Sequence, residues 1–162
     1  MKREILFRGK RVDNGEWVYG RGLQQCKDEL GNEIVAIFTD VVKSEKYIKK
    51  EGKYTLYYVP VKAETLGQFT GLKDKNRKEI YEGDILKTPR GFIGQVVFGR
   101  AEEECRHKVF GRMVIDCYTT YGWIFVRGDG YRCAIDDELL EGEIIGNIHD
   151  NPELMKGGSN EA

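Results

Sequence analysis

Turn residues, aromatics and a strand entry crowd together in residues 68–86, where Phe69-Thr70-Gly71, Asp74-Lys75-Asn76 and Tyr81-Glu82-Gly83-Asp84 follow closely on one another. Glycine, asparagine and aspartate accept left-handed backbone or bond their own turn, so a run built this way folds as short strands and tight reversals. On this reading Phe69, Gly71 and Asn76 shape a loop, and Gly83-Asp84 opens a strand through Ile85-Leu86-Lys87-Thr88. Pro89-Arg90-Gly91 then reverses the chain into Phe92-Ile93-Gly94-Gln95-Val96-Val97-Phe98, the clearest hairpin in the sequence.

The rest of the chain repeats that grammar. Ile5-Leu6-Phe7 and Trp17-Val18-Tyr19 are predicted to pair across a two-residue Asn14-Gly15 turn, with Gly20 and Gly22 marking a bend or bulge. Leu30-Gly31-Asn32-Glu33 turns into Ile34-Val35-Ala36-Ile37-Phe38, whose unbroken apolar run predicts a strand buried on both faces. Tyr54-Thr55-Leu56-Tyr57-Tyr58-Val59 predicts an aromatic strand. Met113-Val114-Ile115-Asp116-Cys117-Tyr118-Thr119 and Trp123-Ile124-Phe125-Val126 predict two more, joined across Thr120-Tyr121-Gly122. A last strand is expected in Glu143-Ile144-Ile145-Gly146-Asn147-Ile148-His149.

Helix is confined to short pieces: one turn in Ala63-Glu64-Thr65-Leu66, a loop or helical turn in residues 134–140, and a terminal segment after Pro152 that Asp150 or Asn151 can cap. Residues 99–112, charged and irregular, read as a mobile loop or a short helix. Glu16-Trp17-Val18-Tyr19-Gly20-Arg21-Gly22-Leu23 aligns without gaps to Glu79-Ile80-Tyr81-Glu82-Gly83-Asp84-Ile85-Leu86, which fits two related β units. The expected fold is mainly β in two small units, residues 1–65 and 66–156, with a flexible tail at 157–162.

Composition removes several functions. The 162 residues carry 26 Lys+Arg and 27 Asp+Glu, a formal net charge of -1, so any attraction to phosphate backbones or acidic membranes must be local. No apolar run approaches the roughly 18–20 residues that span a bilayer, and no signal-peptide stretch follows the N-terminus, so a cytoplasmic protein without membrane contact is expected. Cys26, Cys105, Cys117 and Cys133 lack the close pairs of structural zinc sites and are read as free thiols, mostly packed as small hydrophobes. Cys105 and His107 alternate and would share a strand face, but a metal site there needs Cys117, Cys133 or His149 as well, and none is expected. Arg127-Gly128-Asp129 is read as a turn only.

Chemistry-bearing candidates are few. Lys43, Lys49 and Lys50 could hold phosphates while Tyr54 or Tyr57 stacks on a base, and Lys73, Lys75, Arg77 and Lys78 form a second basic cluster on the loop. The alternative is a solvated loop before a strand whose tyrosines face the core. Asp84, Asp116, Asp129 and Asp136 are the carboxylates available for acid-base work or magnesium, without supportive spacing, and no catalytic residue or cofactor is assigned.

Leu66-Gly67-Gln68-Phe69-Thr70-Gly71-Leu72-Lys73-Asp74-Lys75-Asn76, Glu79-Ile80-Tyr81-Glu82-Gly83-Asp84-Ile85-Leu86 and Ile145-Gly146-Asn147-Ile148-His149-Asp150-Asn151-Pro152-Glu153-Leu154 together resemble the YopX family of phage and prophage proteins, as do Phe7-Arg8-Gly9 and Trp17-Val18-Tyr19-Gly20. Arg77 departs from the family, which commonly has glycine there. The resemblance implies SH3-like small-barrel units and brings no catalytic residues with it. The expected role is a noncatalytic interaction module with an unidentified protein partner or a second copy of itself. Nucleic-acid binding is the alternative, and an enzyme the least favoured reading.

Overall fold

The structure, a computed structural model, describes residues 4–27, 30–39 and 57–156. It is mainly β, with antiparallel sheets whose open strand orders form no closed barrel among the described residues, and it divides into two compact units, Met1–Gly71 and Leu72–Ala162. In the first unit β1 (Phe7–Lys10) pairs with β2 (Trp17–Gly20) from Phe7↔Gly20 to Lys10↔Trp17. The reversal between them is longer than the two-residue turn expected from Asn14-Gly15. Arg11 N donates to Glu16 O at 2.9 Å and Gly15 N to Arg11 O at 3.1 Å, and only Gly15 (φ 73°) is left-handed. The physical reason is local: Asn14 uses its side-chain oxygen to accept from Glu16 N at 3.0 Å, an Asx turn that holds Asn14 out of the left-handed region.

β3 (Gly22–Lys27), β4 (Glu33–Thr39) and β5 (Tyr57–Val61) form a sheet in that order. The apolar run of β4 is buried completely only at Ala36 and Ile37, while Ile34, Val35 and Phe38 are half-buried, so burial on both faces is limited to its centre. Phe38 faces Tyr58 across the sheet with ring centroids 4.1 Å apart. A Cβ on Gly20 would lie 1.8 Å from the carbonyl oxygen of Phe38, so close backbone approach demands glycine at the bend between β2 and β3. After a 3-10 turn at Ala63–Thr65, β6 (Gly67–Lys73) pairs with β1 through Phe7↔Gln68 and Arg8↔Gly67.

The second unit contains β7 (Glu79–Tyr81), β8 (Asp84–Lys87), β9 (Ile93–Val109), β10 (Arg112–Arg127), β11 (Arg132–Ala134), the helical turn α1 (Asp137–Leu140) and β12 (Glu143–Asn147). Its five-stranded sheet runs β11-β10-β9-β8-β12. The expected hairpin joins β8 to β9, from Ile85↔Gln95 to Lys87↔Ile93, with Gly91 left-handed at φ 86° after Pro89-Arg90. Gly83, also at φ 86°, donates its N–H to Val96 O and accepts from Ile148 N, both at 2.8 Å. Of the glycines matched in the echo, Gly20 ends β2 and Gly83 stands between β7 and β8, one glycine for space and the other for backbone hand.

Ile80, Leu86, Val96, Phe125 and Leu139 make the core of this unit. A Cβ on Gly94 would come within 2.6 Å of the Phe125 ring, so the missing side chain is what seats the largest core residue. Burying such a ring contributes about 1.5–3 kcal/mol. Asp136 caps α1 by accepting from Leu139 N at 2.9 Å, which brings Leu139 down onto the core. The terminal segment is a 3-10 turn, Pro152–Met155, with Pro152 at its start. Asn151 stands at its N-cap position but its side chain accepts from Asn147 N at 3.4 Å instead of capping.

Three expectations are corrected here. Residues 99–112 are neither loop nor helix: β9 runs through them to Val109, and a tight turn at Phe110-Gly111 leads straight into β10. The runs expected as two strands on either side of Thr120-Tyr121-Gly122 are one strand, β10, with Gly122 paired to Gly99. Cys105 and Cys117 are exposed free thiols, not packed hydrophobes, because this ribbon leaves both of its faces in solvent there.

Candidate interaction surface

Lys73, Lys75, Arg77 and Lys78 all lie exposed around one loop, and the residue that builds the loop is the buried Asp74. One carboxylate oxygen of Asp74 accepts from Asn76 N and Lys78 N, each at 2.9 Å, and the other from Ile144 N at 3.1 Å. Its backbone closes the loop by donating to Lys78 O at 3.0 Å and accepting from Arg77 N at 2.8 Å. Sequence reasoning gave the loop to Phe69, Gly71 and Asn76, but Phe69 and Gly71 lie within β6, and the Asx-turn signal at Asp74, an aspartate opening a turn, was the one that mattered. Arg77 takes φ 63°, so the departure from glycine keeps the left-handed turn and places a cation in it. Lys75 is engaged by Glu143 at 2.8 Å, a half-exposed pair of small energetic weight. Lys43, Lys49, Lys50 and Tyr54 lie outside the described residues.

The larger exposed feature is the ribbon of β9 and β10, an unbroken antiparallel ladder from Gly94↔Arg127 to Val109↔Arg112. Phe98 and Trp123 meet edge to face at 5.2 Å near its base. Ala101 is still buried, and the Glu103 carboxylate accepts from Ala134 N at 2.8 Å. From residue 104 to residue 113 every position is exposed. The two-residue turn is left-handed at both positions, Phe110 (φ 48°) and Gly111 (φ 78°), the conformation whose twist matches a tight hairpin. Phe110 is fully exposed, and Met113, Ile115, Tyr118 and Tyr121 are each more than half exposed.

Alternation along the ladder sorts its side chains. One face carries Glu102, Glu104, Arg106 and Lys108 opposite Thr119, Cys117, Ile115 and Met113; the other carries Glu103, Cys105 and His107 opposite Tyr118, Asp116 and Val114. Cys105 and His107 do share a face, but Cys117 falls on the opposite one, and His107 Nε2 lies 3.6 Å from Asp116. Among the described residues no group of three or more His, Cys, Asp or Glu side chains is placed to hold a metal ion.

A cavity of about 220 Å³ opens at the ribbon base, lined by residues that include Phe92, Glu103, Arg127, Tyr131, Cys133 and Asp136. The Arg127 guanidinium covers the Phe92 ring at 4.4 Å and the Tyr131 ring at 5.5 Å while pairing with Asp129 at 2.7 Å. Burial pushes the Cys133 thiol up to about 11, with Glu103 and Asp136 adding to the rise, so it is a protonated thiol at neutral pH and a poor nucleophile. Burial raises Tyr131 as well.

The four carboxylates considered for chemistry each have a local task. Asp84 accepts from Tyr81 N at 2.8 Å, Asp116 faces His107, Asp136 caps α1, and Asp129 accepts from Tyr131 N at 3.1 Å, which makes Arg127-Gly128-Asp129 the opening of the β10–β11 turn.

No curated protein matches the chain. Among solved structures it is similar to the crystal structure of protein EF1440 from Enterococcus faecalis, at 21% identity and a TM-score of 0.40, covering 93% of this chain and 97% of that one. The family described as YopX protein matches residues 6–156, a span that holds every strand of both units and the ribbon between Ile93 and Arg127. The chain belongs to the YopX protein family.

Proposed function

We propose that the chain is a noncatalytic accessory protein of phage or prophage origin, working in the host cytoplasm as a protein-interaction module whose contact element is the β9–β10 ribbon. The observation that carries this reading is the exposed apolar surface of the ribbon: Met113, Ile115 and Tyr121 stand in solvent along one face, Phe110 at the tip and Tyr118 on the other face. Two strands alone are marginally stable in water, and contiguous exposed apolar surface on a folded protein marks a docking site. Replacing residues 102–119 by Asn-Gly keeps the Ala101↔Thr120 pair and closes a shorter hairpin. Affinity capture from phage-infected cells with the full and the shortened chain then tests the reading. Proteins held by the full chain and lost by the shortened one are expected; identical sets from both would sink it.

A second reading, binding to nucleic acid, is favoured by Lys73, Lys75, Arg77 and Lys78 on the exposed loop and by Arg106, Lys108 and Arg112 near the ribbon tip. Such binding weakens steeply with salt. The check is a titration with single-stranded and duplex DNA and RNA at low salt, repeated with the four loop cations changed to glutamine. No shift with any of them removes this reading.

A further inference from the structure

β9 has one paired edge and one open edge beyond its base. β10 covers the first along the whole ladder, while β8 pairs with the second only at Ile93–Gln95, and Gly83 N reaches Val96 O. Among the described residues no strand pairs with that edge from residue 97 to residue 109. An open strand edge is a template for another strand, and side chains along it decide which strand can be added.

The side chains here read Glu102-Glu103-Glu104-Cys105-Arg106-His107-Lys108, three acids and three basic residues in mirror positions about one cysteine. All of them but the half-buried Glu103 are exposed. We infer that the occupant of this edge is a second copy of the same chain, added antiparallel across a twofold axis with Cys105 opposite Cys105. This deepens the interaction-module reading and rests on it.

Symmetry leaves few registers. Paired residues on antiparallel strands share a face and neighbours along a strand alternate, so a twofold pairing must place some residue opposite itself. Centred on Cys105, the pairs are Glu104 with Arg106, Glu103 with His107 and Glu102 with Lys108, each acid meeting a base. Centred on Glu104 or on Arg106, the neighbouring allowed registers set like charge against like charge at the axis, and a parallel in-register pairing sets every acid against itself. Like charges directly opposite destabilise a strand pair, so the sequence both favours one register and rejects its neighbours. The present pairs of Glu104 with Arg106, Glu102 with Arg100 and His107 with Asp116 are solvent-accessible and of little energetic weight, free to exchange, while Glu103 keeps one oxygen on Ala134 N and has the other to offer. The edge of β10 has no such inversion, carrying only Arg112 and Asp116 between Arg112 and Tyr121.

Sedimentation equilibrium on the full chain reads the association directly. The wild type is expected to dimerise, and Glu102→Lys/Glu104→Lys and Arg106→Glu/Lys108→Glu each to lose dimer, with the dissociation constant up about tenfold or more. An equimolar mixture of the two variants is expected to restore a dimer, a result that misfolded variants cannot give. Diamide, which takes up the two thiol hydrogens as the S–S bond forms, should link the wild-type dimer through Cys105, because directly opposed residues lie about 4.5–5.5 Å apart at Cα, within disulfide reach. A monomeric wild type, a link through Cys117 in place of Cys105, or a mixture that stays monomeric overturns the inference. A monomer that still captures proteins through its ribbon overturns self-pairing while the interaction reading stands; a dimer in the charge-dependent pattern supports it whatever else is captured.

Discussion

Phe125 and Ile115 stand on the same face of β10, both in ladder with β9, yet Phe125 is 2% exposed and Ile115 52%. Backbone pairing is the same at the two places. At the base, β8 and β11 flank the ladder and Leu139 packs with Val96 and Phe125. Toward the tip no strand flanks either edge among the described residues. A ladder sets where side chains point, whereas covering the face sets how much each contributes. The base is therefore read as scaffold, and the distal ribbon as the surface the scaffold presents.

The sharpest way to break that contrast is a matched pair of truncations. Phe125→Ala is expected to cost about 3–5 kcal/mol and Ile115→Ala within about 0.5 kcal/mol, measured by urea unfolding. Equal costs would falsify the division. Hydrogen exchange in dilute solution tests the same boundary by position. Peptides covering residues 93–97 and 123–127 should exchange only on global unfolding, and those covering 104–119 through local opening. Uniform protection along the ribbon would instead make it one cooperative element.

A smaller effect sharpens the base. The Cys133 thiol, with a folded value of about 11 against 9.0, binds its proton more tightly in the folded chain. Its contribution to stability is full below pH 9 and is lost as pH rises through 11. Tyr131 shifts in the same direction. Cys133→Ser should flatten the fall in stability between these limits, read as melting temperature against pH; a curve unchanged by the substitution rules the thiol out as its source. The least effect belongs to the tip. Phe110→Asn puts a residue tolerant of left-handed backbone at φ 48° and removes no contact within the core, so stability should rise by up to about 0.5 kcal/mol. A clear loss of stability would show that Phe110 is held by the chain itself.

Much of this was legible from residues alone. Gly91 after Pro89-Arg90, Gly83 before Asp84, and Pro152 at a helix start carry their conformations in their own chemistry, and each stands where its chemistry puts it. The ribbon was not legible in the same way. Glu102-Glu103-Glu104 has poor strand propensity by itself, and what makes it strand is the ladder to Thr119, Tyr118 and Cys117. Of the candidate site, the loop cations could be listed from sequence. An Asx-turn signal at Asp74 accounts for its bonds to Asn76 N and Lys78 N, whereas its bond to Ile144 N could not be read from sequence, because Ile144 lies far along the chain.

The sequence by itself determined the β8–β9 turn at Pro89-Arg90-Gly91, the β class and the charge inversion about Cys105, since all three depend on residues a few positions apart. Only the tertiary structure decided that β9 and β10 continue past the sheet and that the inversion lies along an open edge. Strand length is set by what pairs across the ladder, and exposure by what packs over it; both are contacts between residues distant in sequence.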